Sequence, residues 1–88
     1  MEYSLELTPA ASQYLVKLAP SSLQRITTKL EWYAGHFEEY QPEPLTGKFS
    51  GLYRFRIGDY RLIYMLDKPD KRIIILSAGH RSDIYKNR

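Results

Sequence analysis

The sequence predicts a small α+β domain, a two-helix hairpin packed on an antiparallel four-stranded sheet in the order β-α-α-β-β-β. Three observations carry this. Residues 3–7 alternate apolar and polar side chains. Apolar residues then recur at helical spacing up to Phe37, and from Leu52 onward the chain is β-branched and aromatic with period two. At 88 residues, 43% of them hydrophobic, there is enough chain for one core and too little for two, so residues 1–88 are read as a single domain.

The elements follow in order. Tyr3, Leu5 and Leu7 form the apolar face of a first strand. Thr8-Pro9 opens a helix, with Thr8 as N-cap and proline at the first helical position, and Ala11, Leu15 and Leu18 make its stripe. Ala19-Pro20 breaks it. Ser21 and Gln24 then form a capping-box pattern for a second helix, whose seam runs Leu23, Ile26, Leu30, Tyr33, Phe37. Residues 41–44, with two prolines, read as loop. Residues 52–57 and 60–66 are strands joined at Gly58-Asp59, a two-residue connection with glycine first. Residues 67–71 form a further turn, residues 72–78 are a β-branched buried strand, and Gly79 ends it before a short tail.

Composition narrows the chemistry. The chain has no cysteine, which removes disulfides, thiolate nucleophiles and cysteine-ligated zinc. No apolar run approaches the roughly 20 residues of a membrane span, and the opening residues carry no export signal, so a soluble cytoplasmic protein is expected, with no membrane partner. Charge is uneven. Residues 1–44 hold three basic and six acidic groups, a net of −3, whereas residues 45–88 hold ten and four, a net of +6; together they make the chain's +3. Such a polarised distribution steers anionic partners.

The hairpin shows where that charge goes. A two-residue turn sets Ile57 opposite Tyr60, Phe55 opposite Leu62 and Tyr53 opposite Tyr64, an apolar face for the helices to cover. Arg54, Arg56 and Arg61 share the other face with Leu52, Ile63 and Met65, and Arg56 stands directly opposite Arg61. Like charges in that relation repel. Solvation or pairing with Asp83 accounts for one of them; a phosphate-bearing ligand accounts for all, because the guanidinium fork matches phosphate oxygens. The tail adds His80, a proton-transfer candidate, Arg81, and Tyr85, which can stack on a base. His36 is read as an ordinary helix residue. No cluster of metal-ligand residues stands out, and no cofactor is implied.

Four segments together resemble one family: Leu45-Thr46-Gly47, Gly51-Leu52-Tyr53-Arg54-Phe55-Arg56, Gly58-Asp59-Tyr60-Arg61-Leu62-Ile63-Tyr64, and Gly79-His80-Arg81-Ser82-Asp83-Ile84-Tyr85. In this order they are similar to the RelE/ParE toxin superfamily, over nearly the whole chain. The resemblance implies a small microbial-RNase-like fold and the toxin of a type II toxin–antitoxin system. It further implies a RelE-type, metal-independent endoribonuclease that cuts messenger RNA in the ribosomal A site. There the ribose 2′-OH would attack the adjacent phosphate and leave a 2′,3′-cyclic phosphate and a 5′-OH. By position, Arg61, His80, Arg81 and Tyr85 become the implied catalytic set, and Arg54, Arg56 and Lys48 the implied RNA- and phosphate-binding set. Arg54 and Arg56 replace lysines of the founding RelE toxin, and arginine in practice does not act as a base. His80, also at a lysine position, is therefore the preferred acid–base residue and Tyr85 its rival. The implied partners are a cognate antitoxin, the ribosome and messenger RNA, with operator DNA reached only through the antitoxin. The alternatives are a ParE-like gyrase inhibitor and a catalytically inert nucleic-acid-binding module.

Overall fold

The structure, a computed structural model, describes residues 3–82. The chain runs β1 (Ser4–Leu7), α1 (Pro9–Val16), α2 (Pro20–Gly35), β2 (Glu43–Pro44), β3 (Tyr53–Ile57), β4 (Tyr60–Asp67) and β5 (Arg72–His80), with single 3-10 turns at Phe37–Glu39 and Gly47–Phe49. The strands form one sheet in the order β1-β5-β4-β3-β2.

The predicted α+β class holds, and two details of the sheet differ. It has five strands rather than four, because Glu43 and Pro44 pair with Arg54 and Tyr53. A two-residue strand that includes one proline and follows another is too short for any period, and proline is tolerated there because β2 is an edge. The sheet is also mixed: β1 lies parallel to β5, with Leu5 beside Ile73 and Leu7 beside Ile75. Alternation in β1 reveals the side on which Tyr3 and Leu5 pack against the core, although Leu7 is exposed, and does not give the direction of its neighbour.

Both helix starts are set by proline. Thr8 caps α1 as expected, its hydroxyl accepting from the Ala11 N–H at 3.3 Å. For α2 the capping box does not form: the helix begins at Pro20 with Ala19 as N-cap and no side-chain cap. Pro20 at the first position has a preset φ and no N–H to satisfy, so the helix starts before Ser21.

The helices cover one face of the sheet. Ala11, Leu15, Ile26, Leu30, Tyr33 and Phe37 pack on Phe55, Ile57, Leu62, Tyr64, Ile73 and Ile75. At the centre three rings stack, Tyr33 on Phe55 at 4.2 Å between centroids and Phe55 on Tyr64 at 4.1 Å, tying α2 to β3 and β4. The Tyr64 hydroxyl is buried with no hydrogen-bond partner among the described residues, and burial pushes its pKa up. An unpaired buried hydroxyl costs about 1–3 kcal/mol. Tyr64→Phe is therefore expected to raise the urea midpoint, and a lowered midpoint would reveal a bond to that oxygen.

β5 carries a bulge. Ser77 pairs with Ile63 while Ile75 pairs with Tyr64, leaving Leu76 as a surplus residue. The Leu76 carbonyl accepts from the Thr8 hydroxyl at 2.8 Å, and the Ile75 carbonyl accepts from the Thr8 N–H at 3.0 Å. Thr8 thus caps α1 and holds the bulge together.

Candidate functional site

The hairpin has the register its turn requires. Gly58 has φ of +58° and Asp59 does not share the positive sign, the pattern of a turn with glycine first. Ile57 pairs with Tyr60, Phe55 with Leu62, Tyr53 with Tyr64, and Arg56 with Arg61. The expected apolar face is the one the helices cover, although Ile63, on the arginine face, is also buried.

The arginine face resolves its repulsion by giving every guanidinium an acceptor, with the facing pair Arg56 and Arg61 sent to separate ones. Arg61 folds back onto the turn, where Nη1 donates to the Gly58 and Tyr60 carbonyls, each at 2.9 Å. Arg54 and Arg56 converge on Glu43 of β2: Arg54 Nη2 donates to one carboxylate oxygen, and Arg56 reaches both, at 3.1 and 3.2 Å. Arg81 anchors to the same turn as Arg61, its N–H donating to the Asp59 carbonyl at 2.7 Å and its Nε lying 3.7 Å from the Asp59 carboxylate. Arg61 and Arg81 therefore meet at Gly58-Asp59, and Arg54 and Arg56 lie farther along β3. Lys48 is exposed in the 3-10 turn between β2 and β3, off the hairpin face.

His80 is placed differently from expectation. It belongs to β5 rather than to a tail, because the strand continues through Gly79. The bulge reverses the alternation, so Ala78 and His80 share the helix-covered face while Gly79 stands opposite Arg61. His80 accordingly meets Tyr60 edge-on, with centroids 6.0 Å apart. Its Nδ1 lies 2.9 Å from the Ser82 hydroxyl and accepts from the Ser82 N–H at 3.2 Å, which leaves the ring proton on Nε2 in this arrangement. Tyr85 and Asp83 lie outside the described residues.

Two residues escaped the sequence reading. Glu43 sits in what read as loop, and only pairing of β2 with β3 brings its carboxylate to the arginines. The Arg54 hydrogen bond holds that carboxyl below its ordinary range, against the opposing effect of partial burial and with further help from Arg56. A carboxyl depressed in the folded state stabilises above its unfolded value, near 4.5, and loses that contribution as pH falls through the lower folded value. Glu43→Gln is expected to flatten the loss of thermal stability below about pH 4.5 relative to the native chain; parallel pH profiles of melting temperature would remove Glu43 as a source of that loss. Arg25 belongs to the acidic half of the sequence, yet α2 carries it to the hairpin turn, its Nη1 3.2 Å from where a Cβ on Gly58 would stand.

On the helix-covered side, burial raises the hydroxyls of two tyrosines, Tyr33 and the half-buried Tyr40. Burial first, then Tyr33, pushes the Tyr40 hydroxyl up to about 12, and Tyr33 is raised chiefly by its own burial. Among the described residues, no helix is long and apolar enough to cross a membrane.

The chain was compared with known proteins on this basis. The family described as the ParE toxin of type II toxin–antitoxin systems matches residues 5–85. Toxin RelG of Mycobacterium tuberculosis is 32% identical over 90 residues, covering 98% of this chain and 99% of that protein. Among solved structures, the toxin–antitoxin complex RelBE2 of M. tuberculosis contains a chain superposing with a TM-score of 0.78 at 26% identity, over 92% of this chain and all of that one. The archaeal RelE–RelB complex of Pyrococcus horikoshii gives 0.72 at 27% identity, over 94% and 99%. The fold, the sheet hairpin and these matches agree: the chain belongs to the RelE/ParE superfamily and is a toxin of a type II toxin–antitoxin system.

Proposed function

We propose that this toxin is a ribosome-dependent messenger RNA endonuclease, cutting in the A site and halting translation in the cytoplasm. The observation that carries the reading is the meeting of Arg61 and Arg81 at the Gly58-Asp59 turn, next to Arg54 and Arg56 on the same sheet face. Four guanidiniums at one rim suit a substrate whose reacting group is a phosphodiester.

In the proposed reaction the 2′-oxygen attacks the adjacent phosphorus and the bond to the 5′-oxygen breaks. The 2′-OH proton passes to a base, and the leaving 5′-oxygen takes a proton from an acid. The products are a 2′,3′-cyclic phosphate and a 5′-OH, with no metal or cofactor in the scheme. Arg61 and Arg81 stabilise charge developing on the phosphate oxygens, and Arg54, Arg56 and Lys48 hold flanking phosphates. His80 and Tyr85 are the proton-transfer residues. The turn is the end of the sheet, so a strand lying across it reaches His80 from one face and the arginines from the other. To accept a proton at Nδ1, His80 must exchange its Ser82 N–H for substrate.

The antitoxin complexes among the relatives support a cognate antitoxin here as well. An acidic antitoxin segment would compete with RNA for Arg54 and Arg56 as Glu43 does within the chain, and operator DNA would be reached through that partner. The name of the matching family keeps gyrase inhibition as the second reading. Primer extension on translated messenger RNA separates them, using the native chain and alanine variants of Arg61, His80, Arg81 and Tyr85. Cuts at codon boundaries that the variants lose support the nuclease. DNA damage signalling without RNA cuts supports the gyrase inhibitor.

A further inference from the structure

A groove of about 560 Å³ opens on the helix side of the hairpin, lined by Gln24, Arg25, Thr28 and Lys29 of α2 and by Arg56 and Gly58. Arg25 and Lys29 bring cations to it from α2, and Arg56 borders it from β3. Neither Arg25 nor Lys29 has a carboxylate partner among the described residues, whereas Arg56 shares Glu43 with Arg54. Gly58 lets the Arg25 guanidinium close over the turn, since a Cβ there would come within 3.2 Å of Nη1.

The same stripe of α2 continues into an aromatic surface. Trp32 is 46% exposed and stacks on exposed His36, with ring centroids 4.4 Å apart and planes 13° from parallel. A hydrogen-bond contact of 2.9 Å between His36 Nδ1 and the Trp32 carbonyl orients the imidazole. Lys29 bridges the two features, its ammonium 5.1 Å from the indole centroid. Leaving an indole half in water forgoes hydrophobic stabilisation that burial would provide.

We propose that this stripe is a second RNA contact: a phosphate of an unpaired nucleotide enters the Arg25–Lys29–Arg56 groove, and a neighbouring base stacks on the Trp32–His36 pair. Cations beside an exposed flat ring are what unpaired nucleic acid requires, because every base has a π-face and every linkage a charge. A duplex hides its base faces, and an acidic peptide has no use for the rings. The inference rests on the nuclease reading only in taking RNA as the ligand. Arg56 belongs to both surfaces, so a strand held at Arg61 continues around the edge of β3 into the groove.

Trp32 is the only tryptophan in the chain, so its emission reports this contact alone. The test titrates the full chain with an unpaired, fully 2′-O-methylated RNA of about 10 nucleotides, which cannot be cut. Quenching of Trp32 is expected, and an oligonucleotide of the same length lacking bases should leave the emission unchanged. Arg25→Gln with Lys29→Gln should weaken binding about tenfold and reduce the salt slope by about 0.7, from one phosphate no longer neutralised on a single strand. With labelled RNA, Trp32→Ala should cost about 5- to 100-fold in affinity. Unchanged emission at saturation overturns the proposal, as does native affinity in the double variant. Polyglutamate binding as tightly as RNA, with the same dependence on Arg25 and Lys29, reassigns the groove to an acidic protein. Cleavage is not read, so the two proposals separate: quenching by a chain that cuts no RNA removes only the nuclease, and cutting without quenching removes only this contact.

Discussion

On the proposed nuclease reading, Arg61→Ala and Arg81→Ala are each expected to slow RNA cleavage by about 10²–10³-fold, the usual loss when one preorganised donor to a developing oxyanion is removed. The Arg61 side chain is held by backbone carbonyls of the turn and the Arg81 side chain by the exposed Asp59 carboxylate, neither by the core. Their loss should therefore change the melting temperature little. Arg61 gives up two hydrogen bonds to carbonyls that water can replace, which is worth about 1 kcal/mol at most. Arg61→Lys should recover only part of the rate, since an ammonium keeps the charge and loses the fork. Cleavage at the native rate by both alanine variants would place the chemistry elsewhere. Cleavage lost together with folding would instead make these residues structural.

The second large effect lies beneath the site. Phe55 is fully buried between Tyr33 and Tyr64, and its strand neighbours Arg54 and Arg56 point the opposite way. Phe55→Ala should cost about 3–5 kcal/mol, because the stacked rings on either side cannot both close the gap. A domain of this size has roughly 5–15 kcal/mol in total, so the variant should be marginal at 37 °C. A lower urea midpoint with weakened near-ultraviolet dichroism would show it. Phe55→Leu, which retains much of the volume, should fall in between. A midpoint in Phe55→Ala within about 1 kcal/mol of the native chain would mean that the three-ring stack is not the keystone its geometry suggests.

Much of this was legible because a two-residue turn leaves no freedom. Once Gly58-Asp59 is the connection, every pair from Tyr53–Tyr64 to Arg56–Arg61 follows by counting, and the arginine face follows from the aromatic one. The α2 seam was legible for a similar reason, since Ile26, Leu30 and Tyr33 recur at helical spacing and are all buried. What was hidden depends on distant partners. Glu43 acquires meaning only when a two-residue strand finds β3. Arg25 changes sides of the charge map because α2 ends its first turns against the hairpin. The capping box at Ser21 lost to a proline one residue earlier, a local competition the pattern alone could not rank. His80 was read into a tail because Gly79 looked like the end of the strand; β5 instead runs on through it, and one unpaired residue turns His80 to the helix-covered face.

That surplus residue makes β5 a strand written in two reading frames. Up to Ile75 the odd-numbered side chains face the helices, and beyond Leu76 the even-numbered ones do. Losing one residue at the junction would act on side chains as a frameshift acts on codons, exchanging the places of Gly79 and His80. Thr8, whose hydroxyl and amide both bond to the junction carbonyls, keeps the frame. The start of the first helix thus decides, from the far end of the chain, which face of the sheet His80 occupies.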